Sequence, residues 1–240
     1  MRNKKITLVT NLLLVLIVFS VLAVGVYSER SVTISTQTHN GVVYRGSSSA
    51  GGVALMFNVY ENTEVVNGII KVLKENNATA TFFVGGCWAD DNEQVLKDIV
   101  NGGFEIGNHG YFHKDHKKIT ESLNRSEIND CHNLVLRTTG YNMNLFAPPS
   151  GSFSKSTLLV ASELNYKTIM WSKDTIDWRD SDISTILKRA TKDLSSGDLI
   201  LMHPKRHTLE ALPLIIEKIK SQNLKFLTVT DCISTSPIKV

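Results

Sequence analysis

The stretch VALMFNVYENTEVVNGIIKVLKENNATATFFVGG, residues 53–86, carries the pattern on which the fold prediction depends. VALMF (53–57) is a continuous apolar run with the length of a buried strand. TEVVNGIIKVLKEN (63–76) has apolar residues at helical spacing, and ATATFFVGG (78–86) predicts a second strand that ends in glycines. A strand, an amphipathic helix and a strand in this order are typical of a parallel sheet.

Apolar runs of strand length and amphipathic stretches of helix length keep alternating toward the C-terminus. Further strands are predicted in FEIGNH (104–109), LFAPPSG (145–151), YKTIMWS (166–172), DLILMH (198–203) and KFLTV (225–229). Helices are predicted at 92–103, 122–140, 154–165, 181–194 and 208–222. About seven such units predict an α/β fold, namely a distorted (β/α) barrel that is closed or nearly closed.

The N-terminal segment differs from the rest in composition. MRNKK (1–5) is basic, and the stretch 6–27 that follows is apolar and carries no charge. Its length is about what a helix needs to cross a bilayer, and it exceeds the apolar core of a cleaved signal. We predict an uncleaved transmembrane signal anchor in residues 1–28, with a cleaved signal as the alternative. Because basic residues stay cytoplasmic, the C-terminal domain would lie outside the cytoplasm, anchored to the cell membrane by a single pass.

Composition limits the remaining possibilities. Residues 29–50 are polar without helical periodicity, which predicts a polar stalk or a peripheral strand, and residues 51–240 form the folded domain. A net charge of +3 gives no case for nucleic acid. The chain's 3 cysteines lack a C-x-x-C and predict neither a disulfide framework nor a thiolate zinc site. We expect a monomer that does not bind nucleic acid.

Polar residues directly follow most of the predicted strands. In an α/β barrel, chemistry takes place where the strands end, so these side chains are expected to meet at one rim. Converging histidines and carboxylates are typical of a metal site with acid–base groups. The residues in question are Asn58, Tyr60, Glu61, His109, His113, Ser150, Asp174, Asp177, Trp178 and His203.

The segment EIGNHGYFHKDH, residues 105–116, is rich in histidine. His109 and His113 have the spacing H-x-x-x-H, which lets two imidazoles bind one Zn²⁺. The same spacing is also compatible with exposed or hydrogen-bonded histidines. His116 has no other support as a ligand, and we expect it to lie outside a metal site.

Several of these motifs occur in the order found in one family. Residues 53–230 resemble the NodB-type polysaccharide deacetylases, carbohydrate esterase family 4, and among them the membrane-anchored sporulation-type members of Gram-positive bacteria. The resemblance implies a divalent metal, often zinc, held by two histidines and an aspartate. It also implies hydrolysis of N-acetyl groups on a polymer such as peptidoglycan or chitin. The motifs are ATATFFVGG, GFEIGNHGYFH, APPSG, DTIDW and LILMH.

The resemblance also implies residue roles. His109 and His113 match the metal ligands, His203 matches the general acid, and Asp174 matches the aspartate that orients that acid. In such a site the metal polarises the amide and lowers the pKa of bound water, while the histidine protonates the departing amine. Substrate contacts are implied for Pro149, Ser150, Trp178, Leu199 and Leu201.

The first motif departs from the family pattern. The family has two aspartates there, a base and a metal ligand, whereas this chain has Asn58 and Val59. An asparagine cannot take a proton at neutral pH, and a valine cannot coordinate a metal. Ala147 stands where the family has an arginine that pairs with the base. Without the aspartate, that arginine would be a buried, unpaired charge. We therefore interpret the changes in the two motifs as linked, so that the site is rebuilt as a unit.

Three functions remain open. The first is metal-dependent removal of N-acetyl groups from a cell-wall polysaccharide, with Asn58 at the catalytic position, Glu61 or a water completing the metal shell, and another group, for example His203, as the base. The second is a catalytically impaired, membrane-tethered pseudoenzyme that binds glycan without cleaving it, and the third is a purely structural metal site. Glu61 discriminates between enzyme and binder, because a binder needs it only as a carboxylate near a helix N-terminus.

Overall fold

A computed structural model describes residues 15–16, 37–39 and 41–234 of the chain. The chain divides into two compact units, Met1–Ile34 and Ser35–Val240. Within the first unit only Val15 and Leu16 are described, and both are helical. The domain boundaries expected from the sequence remain predictions.

The predicted membrane anchor, residues 6–27, lies outside the described residues except for Val15 and Leu16. Across the described ranges, no helix has the length and the apolar character that crossing a membrane requires. The prediction of a single-pass location at the cell membrane is therefore wrong for the part of the chain that the structure describes, and it is withdrawn.

The second unit is built on one sheet of ten strands. Strand β3 is the longest, with eight residues that are all buried. The strands are β1 Gln37–His39, β2 Val42–Arg45, β3 Gly52–Val59, β4 Thr81–Val84, β5 Glu105–Asn108, β6 Leu145–Phe146, β7 Lys167–Ile169, β8 Lys173–Asp174, β9 Leu199–Met202 and β10 Lys225–Leu227.

Helices follow most of the strands and cover the outer face of the sheet. Local signals set several of their ends, as at α5, where Ser154 and Thr157 form a reciprocal capping box. The helices are α1 Thr63–Glu75, α2 Gly86–Asp91, α3 Glu93–Asn101, α4 Glu121–Thr139, α5 Lys155–Glu163, α6 Ile183–Thr191, α7 Arg206–Ser221 and α8 Val229–Ile233. A single 3₁₀ turn spans Pro149–Gly151.

The strand order is β1-β2-β7-β6-β5-β4-β3-β9-β8, and β10 pairs with the beginning of β3. All pairs are parallel except β1 with β2. The predicted α/β class and parallel sheet are confirmed. The predicted distorted barrel is found as a curled half-barrel, with β1 and β8 at the edges of the described sheet. The strand number is also higher than about seven, since strands as short as β8 leave no periodic signal in the sequence.

Strand β2 lies within residues 29–50, for which the sequence predicted either a polar stalk or a peripheral strand. Val42 and Val43 pair in parallel with β7, so this part of the stretch belongs to the sheet. Both valines are buried.

The side chains of β3 alternate between two apolar clusters, as the period of two in a strand requires. One cluster, the helix-facing core, is shared with residues of the covering helices. Its β3 members are Val53, Leu55, Phe57 and Val59. The other, the inner core, fills the concave side and contains Ala54 and Met56. Asn58 follows these two in the alternation and continues their row to the carboxyl end of the strand.

A buried ion pair attaches β2 to the opposite side of the half-barrel. Arg45 Nη1 lies 2.8 Å from Asp198 Oδ1, and the Asp198 side chain is 1% exposed. The Asp198 carboxylate also accepts hydrogen bonds from Ser172 Oγ at 2.7 Å and from the Ser195 backbone N–H at 2.8 Å. Asp198 therefore holds three separate segments at the amino end of β9.

We predict that Asp198→Ala lowers the free energy of unfolding by about 3 to 5 kcal/mol, because it leaves Arg45 partly buried without its partner. Urea unfolding of the full chain measures this change. Glu75→Ala is the matched control, since the Lys71–Glu75 pair is exposed and spans 3.9 Å. Its loss should cost less than about 1 kcal/mol. Equal effects of the two substitutions would contradict the role given to Asp198.

Candidate functional site

The carboxyl ends of the parallel strands open into a pocket of about 330 Å³. Strands β3, β5 and β9 lie near each other in the strand order, so the residues that follow them converge. The pocket combines imidazoles, one amide and one carboxylate with aromatic and aliphatic walls. It is lined by Asn58, Tyr60, His109, His113, Ser150, Trp171, Asp174, Trp178, Leu201 and His203.

His109 is fixed by a backbone acceptor. It is buried, and its Nδ1–H donates to the Ala147 carbonyl oxygen at 2.7 Å. This bond sets the tautomer and leaves the Nε2 lone pair as an acceptor. Burial, reinforced by the neighbouring His113, holds the pKa of His109 well below its ordinary value. At neutral pH His109 therefore presents an uncharged ring.

His113 lies beside His109 on a tight turn. Their ring centroids are 5.1 Å apart, and the Tyr60 ring packs 4.0 Å from that of His113. The backbone of His113 is left-handed with φ +54°, and Gly110 before it has φ +72°. A left-handed backbone conformation is accessible to glycine and costly for other residues. It also interrupts a right-handed helix, so the motif forms a turn and not a regular helix. Burial lowers the pKa of His113 as well.

His203, at the end of β9, is held by Asp177. Its Nδ1 lies 2.7 Å from Asp177 Oδ1, and its backbone N–H donates to Asp177 Oδ2 at 2.7 Å. Thr208 Oγ1 donates to the same carboxylate. Burial by itself raises the pKa of Asp177, but these hydrogen bonds outweigh burial and keep the pKa below its ordinary value. Because an ionised Asp177 only accepts hydrogen bonds, Nδ1 is the protonated nitrogen of His203. Nε2 remains as the nitrogen that is available to the pocket.

The expectation that Asp174 orients His203 is therefore corrected. Asp174 lines the pocket, and its Oδ1 accepts from the Ile176 backbone N–H at 2.8 Å. Asp174 is the last residue of β8, and Asp177 follows it in an irregular loop in which Ile176 has φ +53°. That left-handed residue turns the chain so that Asp177, and not Asp174, reaches His203.

The two residues of the first motif point in different directions. Asn58 lines the pocket and is buried, and its Oδ1 has no hydrogen-bond partner among the described residues. Val59 is fully buried and belongs to the helix-facing core. The end of β3 thus contributes one amide to the pocket and no carboxylate.

Glu61 does not complete a metal site with the two histidines. Its Oε1 makes an ion pair with Lys205 Nζ, and Glu61 is absent from the pocket lining. Within the described ranges, no group of three or more His, Cys, Asp and Glu side chains could hold a metal ion. A catalytic zinc ion takes three protein ligands, and the residues present supply the two imidazoles alone. The predicted set of His109, His113 and Glu61 therefore does not fit a divalent metal such as zinc.

The predicted substrate contacts divide into two groups. Ser150, Trp178 and Leu201 line the pocket, whereas Pro149 and Leu199 do not. Pro149 is buried against Gly110, and Leu199 belongs to the inner core. Sequence reasoning missed Trp171 as a wall residue and the role of Asp177. Trp171 lies near the end of the predicted strand 166–172, which is the one signal that could have identified it.

His116 does not line the pocket. It is fully buried, and its Nδ1–H donates to Asn124 Oδ1 at 2.7 Å. Burial lowers its pKa, and its Nε2 has no hydrogen-bond partner within the described residues. His116 is thus an uncharged core histidine.

The site and the fold together define the class of protein. The sequence model of polysaccharide deacetylases matches residues 45–169 of the chain. The chain therefore belongs to the polysaccharide deacetylase family, as its motifs predicted.

The relatives of the chain include both an enzyme and a pseudoenzyme of this family. YlxY of Bacillus subtilis, an uncharacterised protein, is 35% identical over 189 residues, which are 79% of this chain and 59% of YlxY. A peptidoglycan-N-acetylglucosamine deacetylase of Bacillus cereus is 32% identical over 198 residues, covering 80% of this chain and 72% of that protein. The crystal structure of a CE4 family pseudoenzyme from Bacillus anthracis superposes with a TM-score of 0.79 and 32% identity, covering 85% of this chain and 71% of that one. A mutant of the latter has restored enzymatic activity.

We predict that Asp177→Asn changes the tautomer of neutral His203, whereas Asp174→Asn does not. The amide of the Asp177 variant can donate to Nδ1, which would move the ring proton to Nε2. Long-range ¹H–¹⁵N NMR spectra at pH 8 to 9 report the tautomer directly. An unchanged spectrum in Asp177→Asn, or a changed one in Asp174→Asn, would contradict the assignment of the pair.

We also predict that the domain loses stability as the pH falls below 6.5, the ordinary pKa of histidine, in part through His116. Its lowered pKa keeps it uncharged in the folded state while the unfolded state takes up a proton, so acid favours unfolding. Each such group contributes a slope of at most about 1.4 kcal/mol per pH unit. Urea unfolding at pH 7.5, 6.5 and 5.5 should give a flatter profile for His116→Gln. Parallel profiles for the two proteins would refute the contribution of His116.

Proposed function

We propose that this protein binds an N-acetylated cell-wall glycan, such as peptidoglycan, in the strand-end pocket and does not remove the acetyl group. The observation that carries the proposal is the ion pair between Glu61 and Lys205. Glu61 was the one carboxylate near the end of β3 that could replace the missing base or metal ligand. Its charge is instead neutralised by Lys205, outside the pocket lining.

The pocket has the chemistry that an N-acetyl group requires. Trp171 and Leu201 offer apolar surface to a methyl group, while His109, His203 and Asn58 offer hydrogen-bonding atoms to an amide. Fixed contacts to Ala147 and Asp177 hold the two histidines in place before any ligand arrives. A preorganised site of this kind binds without a cost for ordering its side chains.

The same pocket lacks the groups that would cleave the amide. Asn58 has an amide where a general base needs a carboxylate or imidazole, and Val59 faces the helices. Two imidazoles without a third protein ligand do not make a catalytic zinc site. The carboxylate that lines the pocket, Asp174, belongs to β8 and not to the end of β3.

The relatives support the class of ligand and the loss of activity. Among them are enzymes that act on the N-acetylglucosamine of peptidoglycan. A relative of similar identity is a pseudoenzyme of the same family, and a mutant of it has regained activity. The chain spans 59% of the length of YlxY, so the proposal concerns this domain.

A second candidate function is deacetylation, and the His203–Asp177 pair favours it. Asp177 orients His203, as a group that donates a proton to a leaving amine needs. In this function His203 would act as the base and then as the acid. Acetate release therefore has to be measured together with binding.

We predict that the full chain binds the N-acetylated tetramer of β-1,4-linked glucosamine at least about tenfold more tightly than the fully de-N-acetylated tetramer. Isothermal titration calorimetry compares the two ligands at a pH above the pKa of the free amines, where both tetramers are uncharged and differ in the acetyl groups. Trp178→Ala should weaken binding, because Trp178 lines the pocket and is 54% exposed. Leu159→Ala is the control, since Leu159 has a similar exposure and lies on α5. Equal affinities for both tetramers would refute the proposal.

The same samples, supplied with Zn²⁺, should release no acetate above the level of His203→Ala. Asn58→Asp, with folding checked by circular dichroism, should raise zinc affinity, because it adds a carboxylate to the pocket that His109 and His113 line. Acetate release by the unmodified chain that His203→Ala abolishes would establish deacetylation in place of binding alone.

A further inference from the structure

The histidine-rich segment continues into a group of lysines that the pocket does not use. These lysines are Lys114, Lys117 and Lys118, and Lys155 at the start of α5 joins them. Residues 114–118 together with Lys155 are called the basic surface. We propose that the basic surface binds a soluble, linear polymer with repeated phosphodiester groups. The inference goes beyond the proposed function, which concerns the pocket, and does not depend on it.

The buried His116 anchors the basic surface to the domain. Its Nδ1–H donates to Asn124 Oδ1 at 2.7 Å, and Asn124 Nδ2 donates back to the His116 carbonyl oxygen at 3.2 Å. Thr157 Oγ1 donates to the same carbonyl oxygen at 2.9 Å. The ring of His116 is fully buried, while Lys117 and Lys118 directly after it are exposed. These contacts hold the backbone that carries the lysines before a ligand arrives, which limits the entropy cost of binding.

The first turn of α5 lies against the same segment and adds a fourth lysine. Thr157 in this turn contacts His116, and Ser152 just before the helix donates its hydroxyl to Asp115 Oδ1. Lys155 lies between these two contacts along the chain and is exposed. The four lysines therefore belong to one surface, although they come from two segments.

Positive charge dominates this surface. Four lysines stand against one aspartate, which gives a formal charge of +3, equal to the net charge of the whole 240-residue chain. Asp115 lies 2.9 Å from Lys118 Nζ, but this pair is exposed and therefore weak. The next carboxylate along the chain, Glu121, faces Arg125 at 3.8 Å. The basic surface thus attracts anions, over a distance of about 10 Å at 0.1 M salt.

The type of cation favours phosphate as the anion. All four cations are lysines, and an ammonium group binds phosphate as a point charge without a fixed orientation. Planar recognition of a carboxylate instead relies on the fork of an arginine. A polymer that repeats its phosphates can engage several lysines at once, so each contact raises the effective concentration of phosphate at the next.

A bilayer also presents phosphates, but it fits this surface less well. Binding in a membrane interface depends on a broad apolar face that enters the acyl region. The exposed large apolar side chains closest to the basic surface along the chain are Phe112, Leu123 and Leu159. They belong to a loop, to α4 and to α5, so no single element presents such a face. Phe112 also packs with Lys114, whose Nζ lies 5.7 Å from the ring centroid.

The test is calorimetric titration of the full chain with poly(glycerol phosphate), which carries phosphodiesters without bases or lipid tails. Affinity should fall on the order of tenfold or more between about 50 and 200 mM NaCl, because binding releases counterions from the polymer. Lys117→Gln combined with Lys118→Gln should weaken binding on the order of tenfold at the lower salt concentration and flatten the salt dependence. Lys71→Gln combined with Lys218→Gln removes the same charge from exposed positions of α1 and α7. This matched control should bind the polymer like the unmodified chain.

Several outcomes would overturn the inference. They are failure of the unmodified chain to bind the polymer at the lower salt concentration, an affinity that does not change with salt, and equal losses in the two double variants. Single-stranded DNA with the same number of phosphates and anionic lipid vesicles are titrated in parallel. Tighter binding of DNA than of poly(glycerol phosphate) would assign the surface to nucleic acid, and binding of vesicles without binding of the polymer would assign it to a membrane.

The outcome is separable from that of the proposed function. Lys117 and Lys118 do not line the strand-end pocket. The variant that lacks both lysines should therefore bind the N-acetylated tetramer as the unmodified chain does. Failure of the tetramer to bind would refute the proposed function and leave the basic surface standing, provided that the polymer still binds.

Discussion

The complete burial of strand β3 is the constraint on which the rest of the domain depends. All eight of its residues are buried, and it pairs with β4, β9 and β10. A strand in this position must place apolar side chains on both faces, so the helices cover one side and the inner core fills the other. The row of β3 side chains that faces the inner core reaches the pocket at Asn58, one residue before the strand ends. The pocket therefore begins where the inner core ends.

Each histidine of the site takes its role from the acceptor that holds it. Ala147 fixes His109, Asp177 fixes His203, and Asn124 fixes His116. The first two rings are left with a nitrogen at the pocket, whereas the third is enclosed by the core. The difference between a site histidine and a structural histidine is thus decided by whether the ring lines the pocket, since all three are buried and make one short hydrogen bond through Nδ1.

The carboxylates near the pocket are engaged with other partners. Glu61 is paired with Lys205, and Asp177 serves His203, so neither can join the histidine pair. Hydrophobic and aromatic surface remains on both sides of Tyr60. The relatives of the chain include a peptidoglycan deacetylase and a pseudoenzyme of the same family.

The sequence by itself determined the parallel α/β class, the family and the positions of His109, His113 and His203, because these follow from local periodicity and from motifs within a few residues. Three features depended on tertiary structure. The partner of Glu61 is 144 residues away in the chain, and the choice between Asp174 and Asp177 follows from a left-handed turn at Ile176. The open half-barrel depends on edge strands as short as two residues. Sequence patterns report which residues are apolar and how they are spaced. They do not report which distant charge a carboxylate meets, since that is fixed only when the strands come together.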